Sequence, residues 1–308
     1  MMKHVAILMG GKSAEREVSF SSGKSIVEAL KALGHQVTEV DPDENLSETL
    51  RRIRPDVVYN SLHGTYGEDG AIPGMLEILE IPYTHSGVFS SAVGLNKEFT
   101  RRFLKSHGIR FAEGEVFKVS DLLKDGWKPM PRPYVIKPIS QGSSVGVYII
   151  KDGDPSFAAM QTTSPWEYGD EALVEEYIPG IEISTAVIGD NAIGTLELRP
   201  KSGFYNYEAK YTDGKTDHIY PAELPKAIYE ESLKFAQTAH RLLGCRTVSR
   251  SDMRYNPENG ELYYLEINTH PGFTNLSIVP EVAAKNGIDF KKLVSMILDD
   301  ARLELKIT

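Results

Sequence analysis

Residues 248–269 read VSRSDMRYNPENGELYYLEINT. Two stretches of alternating apolar and polar residues flank a turn rich in Asn, Pro and Gly, the signature of a β-hairpin. Side chains two apart on a strand share a face, so Arg250 goes with Asp252 and Glu266 goes with Asn268. Folding about the turn predicts that the two pairs meet, placing two carboxylates, an amide oxygen and a guanidinium on rigid elements. Hard oxygen donors without Cys or His suit Mg²⁺, which takes one or two carboxylates and leaves its other positions to water and phosphate oxygens. An arginine among them can neutralise charge that develops during a reaction. The same pattern also describes a solvated hairpin whose surface charges pair with one another, so the hairpin alone leaves both readings open.

Working back to the N-terminus, the first ninety residues alternate strand and helix signals. HVAILM (4–9) reads as a buried strand, SSGKSIVEALKALG (21–34) as a helix closed by Gly34, and QVTEVD (36–41) as a strand. LSETLRRIRP (46–55) then reads as a helix stopped by Pro55, and DVVYNSL (56–62) as a further strand. This βαβαβ order calls for a parallel sheet with helices on its faces, and ligands of such sheets sit beyond the C-terminal strand ends. GGKSAEREVS and HGTYGEDG fall at those ends. Neither G-x-G-x-x-G nor G-x-x-x-x-G-K-[ST] fits there, because Ala6 stands where the second pattern needs its first glycine. A dinucleotide fold is therefore a weak alternative.

After a helix in NKEFTRRFLKSHGI (96–109), the parallel rhythm is lost. PYVIKPISQGSSVGVYIIK (133–151) reads as two antiparallel strands joined by a Ser/Gly loop, and ALVEEYIPG (172–180) as a strand with an abrupt stop. Strands follow in EISTAVIG and IGTLELR, then a polar segment, a long helix in EESLKFAQTAHRLLG, the hairpin and a closing helix. The expected organisation is three consecutive modules, 1–96, 97–180 and 181–308, the second and third meeting at the chemistry.

A chain of 308 residues with 41% hydrophobic and 25% charged residues has the composition of a folded globular protein rather than a disordered or fibrous one. A formal net charge of -9 opposes non-specific nucleic-acid binding, which needs Lys and Arg against phosphates. The apolar run near the N-terminus is too short for a signal-peptide core, and no stretch reaches the roughly 20 apolar residues of a membrane span. No membrane association and a cytoplasmic location are the expectations. The single cysteine, Cys245, sits in LLGCRTV as an inert core residue and permits no internal disulfide, in keeping with a reducing compartment.

The loop ISQGSSVG (139–146) supplies backbone N–H groups, small residues and hydroxyls that can close over a polyphosphate. Lys137, just before it, would be a point charge on phosphate or else an exposed strand lysine. With hairpin, loop and Lys137 in this order, the chain resembles the ATP-grasp superfamily, whose two α+β halves grip ATP between them. Within it the similarity is to the D-alanine:D-alanine ligase family and covers essentially the whole chain. The motifs that carry it are GGKSAEREVS (10–19), LHGTYGEDG (62–70), VIKPISQGSSVG (135–146), FYNYEAKY (204–211), SRSDMRY (249–255) and LEINTHPGFT (265–274). The fold this resemblance implies is an α/β N-terminal parallel-sheet domain, for substrate, followed by a two-part α+β ATP-grasp fold: a central ATP-binding domain and a C-terminal catalytic domain.

The resemblance further implies that Lys97 and Lys137 contact nucleotide phosphates and that Ser143 reaches the γ-phosphate region. Glu175, Tyr177 and Ile178 would form the adenine-side hinge, with Glu182 on the ribose. Asp252, Glu266 and Asn268 would hold two Mg²⁺ ions, for which Mn²⁺ can substitute. Arg250 and the backbone of Gly272 would surround the acyl centre, Ser277 and Ile278 would receive the second D-alanine, and Glu15 would take the ammonium of the first, with His63 near its carboxylate. By their residue types alone, Glu15 reads rather as a helix-start charge facing the dipole and His63 as a satisfied buried histidine.

The polar segment 204–217, FYNYEAKYTDGKTD, has no buried-strand period and reads as a lid. In the family reading Lys210 approaches the phosphates, and Tyr211 completes a hydrogen-bonded set with Glu15 and Ser143 that selects an amine acceptor over D-lactate. His270, Thr247 and Ile278 depart from frequent family residues without removing a ligand. The implied activity is ATP-dependent joining of two D-alanines through an acyl phosphate, in a homodimer. A nucleotide-binding protein without catalysis, or a ligase of the same fold with other substrates, are the rivals to be separated.

Overall fold

The computed structural model describes residues 1–304 apart from 125, 163, 164, 204, 206–208, 211 and 275. The chain opens with β1 (His4–Leu8), α1 (Arg16–Ala32), β2 (Gln36–Val40), α2 (Leu46–Ile53) and β3 (Val57–Asn60). The three strands pair in parallel in the order β2-β1-β3. β1 is central, which explains its unbroken apolar run: Val5, Ala6, Ile7 and Leu8 are all fully buried. α1 begins five residues before the expected SSGKSI start and ends at Ala32, two residues before Gly34, whose φ of +85° favours a residue without a Cβ. Two further short helices, α3 (Ala71–Ile78) and α4 (Val88–Leu95), follow β3, and neither was expected.

Helix α5 (Lys97–Lys105) is capped by Asn96, whose side chain accepts from the Phe99 N–H. Beyond it a four-stranded antiparallel sheet runs in the order β4 (Gly114–Lys118), β7 (Glu171–Glu176), β5 (Tyr134–Pro138), β6 (Tyr148–Ile150), with the helical turns α6 (Val119–Leu122) and α7 (Phe157–Met160) beside it. The third module is a five-stranded antiparallel sheet, β10 (Thr216–Ile219), β9 (Asn191–Pro200), β8 (Ile181–Ile188), β11 (Val248–Asn256), β12 (Glu261–Asn268). One face of it carries α8 (Lys226–Leu242), since Phe235, Ala236 and Ala239 share a core with Val187, Met253 and Tyr264. The expected single closing helix is two, α9 (Ile278–Lys285) and α10 (Phe290–Asp299). A parallel sheet followed by two antiparallel ones is the architecture the sequence implied.

The first and middle modules each have a buried cluster of their own, and further clusters run across the module boundaries. Leu104, Ile109 and Phe111, around α5, sit in the core with Met253 and Tyr264 of the third sheet. We propose the division 1–96, 97–180 and 181–308, with α5 as the connector that starts the middle module while packing on the third. A second cluster joins Ile26 and Leu30 of α1 to Leu293 and Ile297 of α10 and to Ala186 and Leu196 of the large sheet. Arg246 fastens the same seam: its Nε donates to the His85 carbonyl at 2.7 Å and its Nη1 to the Arg302 carbonyl at 3.0 Å, with the guanidinium 4.7 Å from the Tyr83 ring centre. Cys245 beside it is inert, because burial pushes its thiol up to about 12.

Removing the Arg246 side chain leaves two carbonyls in this seam without donors. Arg246→Ala is expected to lower the unfolding free energy by about 2 to 4 kcal/mol in urea titrations, and a loss under about 0.5 kcal/mol would show the seam to be held without it.

Candidate active site

The hairpin register sets Arg250 opposite Asn268 and Asp252 opposite Glu266, with a bulge immediately after Asp252. Alternate residues turn the other way: Ser249 Oγ meets His240 Nδ1 of α8 at 2.7 Å and Ser251 Oγ meets the Tyr264 hydroxyl at 2.6 Å. The four chemically active side chains are thus left on the face away from α8. Arg250 forks onto Asp252, Nε to Oδ1 at 2.9 Å and Nη2 to Oδ2 at 2.8 Å, and Ser184 Oγ on the neighbouring strand donates to Oδ1 at 2.6 Å. Burial alone would weaken the Arg250 charge, but the Asp252 carboxylate overrides it and raises the guanidinium above its ordinary range.

Glu266 receives Lys97 Nζ at 2.9 Å, and the same ammonium donates to the Gln141 carbonyl at 2.6 Å. Burial would raise the Glu266 carboxyl, yet Lys97, Lys210 and Lys137 together lower it to about 2. Lys137, buried rather than exposed, pairs with Glu175 on the adjacent strand. These ammonium groups and carboxylates line two adjoining cavities that share Lys97, Gln141, Lys210 and Glu266. The more apolar cavity continues along Val135, Ile149, Glu175, Tyr177 and Ile178 to Glu182. Glu182 pairs with Arg254 Nη1 at 2.9 Å and is pushed up by burial, while the Arg254 guanidinium lies 5.4 Å from the Tyr177 ring centre and braces the hinge.

The other cavity ends in an acidic pole. Glu15 stands at the start of α1, but its carboxylate makes no cap bond and instead accepts the Ser143 hydroxyl from the Ser/Gly loop. Gly64 is required beside it: φ is +69° and a Cβ there would lie 3.0 Å from Glu15 Oε2. Glu68, in the same HGTYGEDG loop, bonds His63 Nδ1 at 3.1 Å, and Ser22 Oγ lies 3.2 Å from His63 Nε2. Burial raises the Glu68 carboxyl, His63 opposes this, and the nearby Glu15 adds to it. Two carboxylates at one end and three lysines at the other make a polarised site fit for a zwitterion next to a polyphosphate.

Most of the predicted residues converge here. Glu15, His63, Ser143, Lys97, Lys210, Arg250, Glu266, Asn268 and Gly272 line one cavity, and Asp252 with Lys137 and the hinge line the other. Ser277 lies just behind Gly272, where a Cβ would meet its hydroxyl at 3.0 Å. The Ile278 side chain is 4% exposed and packed in the core, while its backbone N–H, at the first position of α9, is free of the helix ladder. Tyr211 lies outside the described residues. Of the predicted lid 204–217, Tyr205 is buried, its carbonyl accepts from Ser144 Oγ at 3.1 Å, Lys210 Nζ stands 5.1 Å from its ring centre, and Thr216 and Asp217 belong to β10. Glu68, Ser184 and Arg254 were missed by the sequence reading; Glu68 alone left a trace, as the acid of HGTYGEDG.

For a metal, the donor chemistry fits: Glu266 is held ionised, Asp252 is positioned by Ser184, Asn268 completes an all-oxygen set, and one or two carboxylates suffice for Mg²⁺. Among the described residues no group of three or more His, Cys, Asp or Glu forms a metal site by itself, so other positions would fall to water and phosphate.

Comparison with known proteins decides the family. The family model described as D-ala D-ala ligase C-terminus matches residues 108–299, and that described as D-ala D-ala ligase N-terminus matches residues 36–86. The chain belongs to the D-alanine–D-alanine ligase family. It is 50% identical to the D-alanine–D-alanine ligase of Wolbachia pipientis wMel over 302 residues, 98% of this chain and 95% of that protein. The corresponding ligase of Novosphingobium aromaticivorans is 50% identical over 304 residues, covering 97% and 96%. Among solved structures, the ligase of Bacillus anthracis complexed with ATP superimposes with a TM-score of 0.82 at 28% identity over 97% of both chains. A second structure of that ligase gives 0.81 at 31% identity over 97% of both.

The Lys97–Glu266 pair of this ligase-family chain has a measurable signature. A carboxyl depressed from 4.5 to about 2 takes up its proton in the unfolded chain first, so its stabilising contribution is present above pH 4.5 and is lost as the pH falls toward 2. Lys97→Met removes the nearest cation, and the slope of unfolding stability across this window should become shallower; an unchanged slope would show that Lys97 does not hold Glu266 ionised.

Proposed function

We propose that this chain uses ATP to join two D-alanines into D-alanyl-D-alanine, releasing ADP and phosphate, for peptidoglycan precursor synthesis. The observation that carries the reading is the wall of Lys97, Lys210 and Glu266 common to the two cavities. That shared wall supports a reading in which a nucleotide's terminal phosphate meets a carboxylate bound in the acid-poled cavity.

A carboxylate is a poor acyl donor because oxide is a poor leaving group, and phosphorylation removes that obstacle. Glu15 and Glu68 receive the ammonium of the first D-alanine, directing its carboxylate toward the lysines. Tyr177, Ile178 and Glu182 hold the nucleoside, and Lys137, Lys97 and Lys210 neutralise the transferring phosphoryl group. Asp252, Glu266 and Asn268 would hold Mg²⁺, or Mn²⁺ in its place, which would supply charge neutralisation for the phosphates. The amine of the second D-alanine, placed by Ser277 and the Ile278 N–H, attacks the acyl carbon of the D-alanyl phosphate. Arg250 and the Gly272 N–H stabilise the resulting oxyanion, and phosphate leaves as the amide forms. Tyr205 and Lys210, on the segment across the Ser/Gly loop, exclude water that would hydrolyse the acyl phosphate. Tyr211 would extend the Glu15–Ser143 tie and favour an amine acceptor. No helix among the described residues is long and apolar enough to cross a membrane. A cytoplasmic homodimer is part of the proposal.

The direct test is ADP release with Mg²⁺ and ATP. Release should require D-alanine and yield the dipeptide, while L-alanine and D-lactate should give little; equal release with L-alanine would refute the assignment. Arg250→Ala should lower kcat by about 10² to 10³, as for loss of one oxyanion donor, with ATP affinity nearly unchanged because the hinge lies in the other cavity. Survival of kcat within a few-fold would reduce Arg250 to a partner of Asp252.

A further inference from the structure

Behind the substrate cavity lies a cluster of three buried histidines, His63, His85 and His270, that the mechanism above does not use as acids or bases. The imidazoles of His85 and His270 stack face to face, centroids 3.8 Å apart and planes within 15°. His63 meets His270 edge-on at 5.7 Å, and Tyr59 and Phe273 meet His85 edge-on at 5.5 and 6.2 Å.

Two features show that the stack is maintained against local preference. His85 occupies a left-handed backbone conformation, φ +68°, that a residue with a Cβ rarely adopts. Its ring is also imperfectly satisfied. Thr84 Oγ1 accepts the Asn60 N–H at 3.0 Å and lies 2.9 Å from His85 Nδ1. The other ring nitrogen, Nε2, is buried and has no partner among the described residues. A strained backbone and an unpartnered buried ring nitrogen persist only where the surroundings over-determine them.

What the stack holds is the segment that leaves β12. His270 N–H donates to Asn268 Oδ1 at 2.8 Å, and Gly272 follows two residues later. The same segment is pinned to the first module again by the Phe273 N–H, which donates to Ser22 Oγ at 3.1 Å. On the other side, Arg246 Nε grips the His85 carbonyl and the Arg246 N–H bonds Ser86 Oγ at 3.1 Å. We infer that His85 and His270 are positioning residues, whose stacked rings fix the 268–273 segment on the first module and thereby set where Asn268 and the Gly272 N–H stand relative to the first substrate. The inference rests on the ligase reading for the roles of Asn268 and Gly272. It predicts that the first module adjusts catalysis through stacking rather than through proton transfer.

The experiment compares His85→Gly, His85→Asn, His270→Ala and His270→Phe in the full chain. Glycine and asparagine both tolerate the left-handed backbone, so the first two variants remove the ring without adding strain. Steady-state kinetics with ATP and D-alanine varied separately should show kcat/KM for D-alanine lowered about ten-fold or more in His85→Gly, His85→Asn and His270→Ala, the scale for groups that orient a ligand. KM for ATP should stay within about two-fold. His270→Phe, which keeps a ring to stack, should recover most of the lost activity. Three results would overturn the inference: unchanged D-alanine kinetics in both His85 variants, ATP and D-alanine parameters falling together with thermal stability, or His270→Phe as impaired as His270→Ala. If the wild-type chain itself releases no ADP with D-alanine, the ligase reading fails instead, and the two failures are told apart.

Discussion

The antiparallel register of β11 and β12 is the constraint on which the rest depends. Asp252 faces Glu266 and Arg250 faces Asn268, so two carboxylates, an amide and a guanidinium converge on one face. A slip by one residue would turn them all toward α8, where Ser249, Ser251 and Met253 now pack. Carboxylates set this deep in protein need compensating charge, since an unpaired buried ion is penalised by several kcal/mol. The chain provides it from elsewhere: Lys97 comes from the connector helix and Lys137 from the middle sheet. Charge compensation therefore does structural duty as well, drawing the middle and third modules to one point.

The resulting site has a direction. Glu15 and Glu68 form an acidic end, three lysines form a basic end, and Glu266 lies where the cavities meet. Each pole is built by backbone as much as by side chain, through the left-handed residues Ser143 and Ser144 in the phosphate-side loop and Gly64 against Glu15. With no side-chain nucleophile required, rate enhancement comes from positioning, for which about 7 to 11 kcal/mol is available, and from charges fixed before the reaction begins.

Much of this was legible in the sequence, and the reason is periodicity. The hairpin announces itself through strict alternation about a turn, and β1 through an apolar run that only a strand buried on both faces needs. Helices α3 and α4 escaped because AIPGMLEI and VFSSAVGL contain Pro, Gly and Ser, so their helicity comes from packing rather than propensity. β10 escaped because an edge strand of four residues, TDHI, carries almost no pattern. Glu68, Ser184, Arg246 and the partnership of His85 with His270 depend on contacts between residues far apart in the chain. No local pattern encodes them.

The central claim is that the site activates a carboxylate by moving a phosphoryl group onto it. It is tested most directly with D-alanine carrying ¹⁸O in its carboxylate, analysing the released phosphate by mass spectrometry. An acyl phosphate requires the former carboxylate oxygen to leave with phosphorus, so about one labelled oxygen should appear per phosphate for each dipeptide formed. Dipeptide formation with unlabelled phosphate would contradict the account.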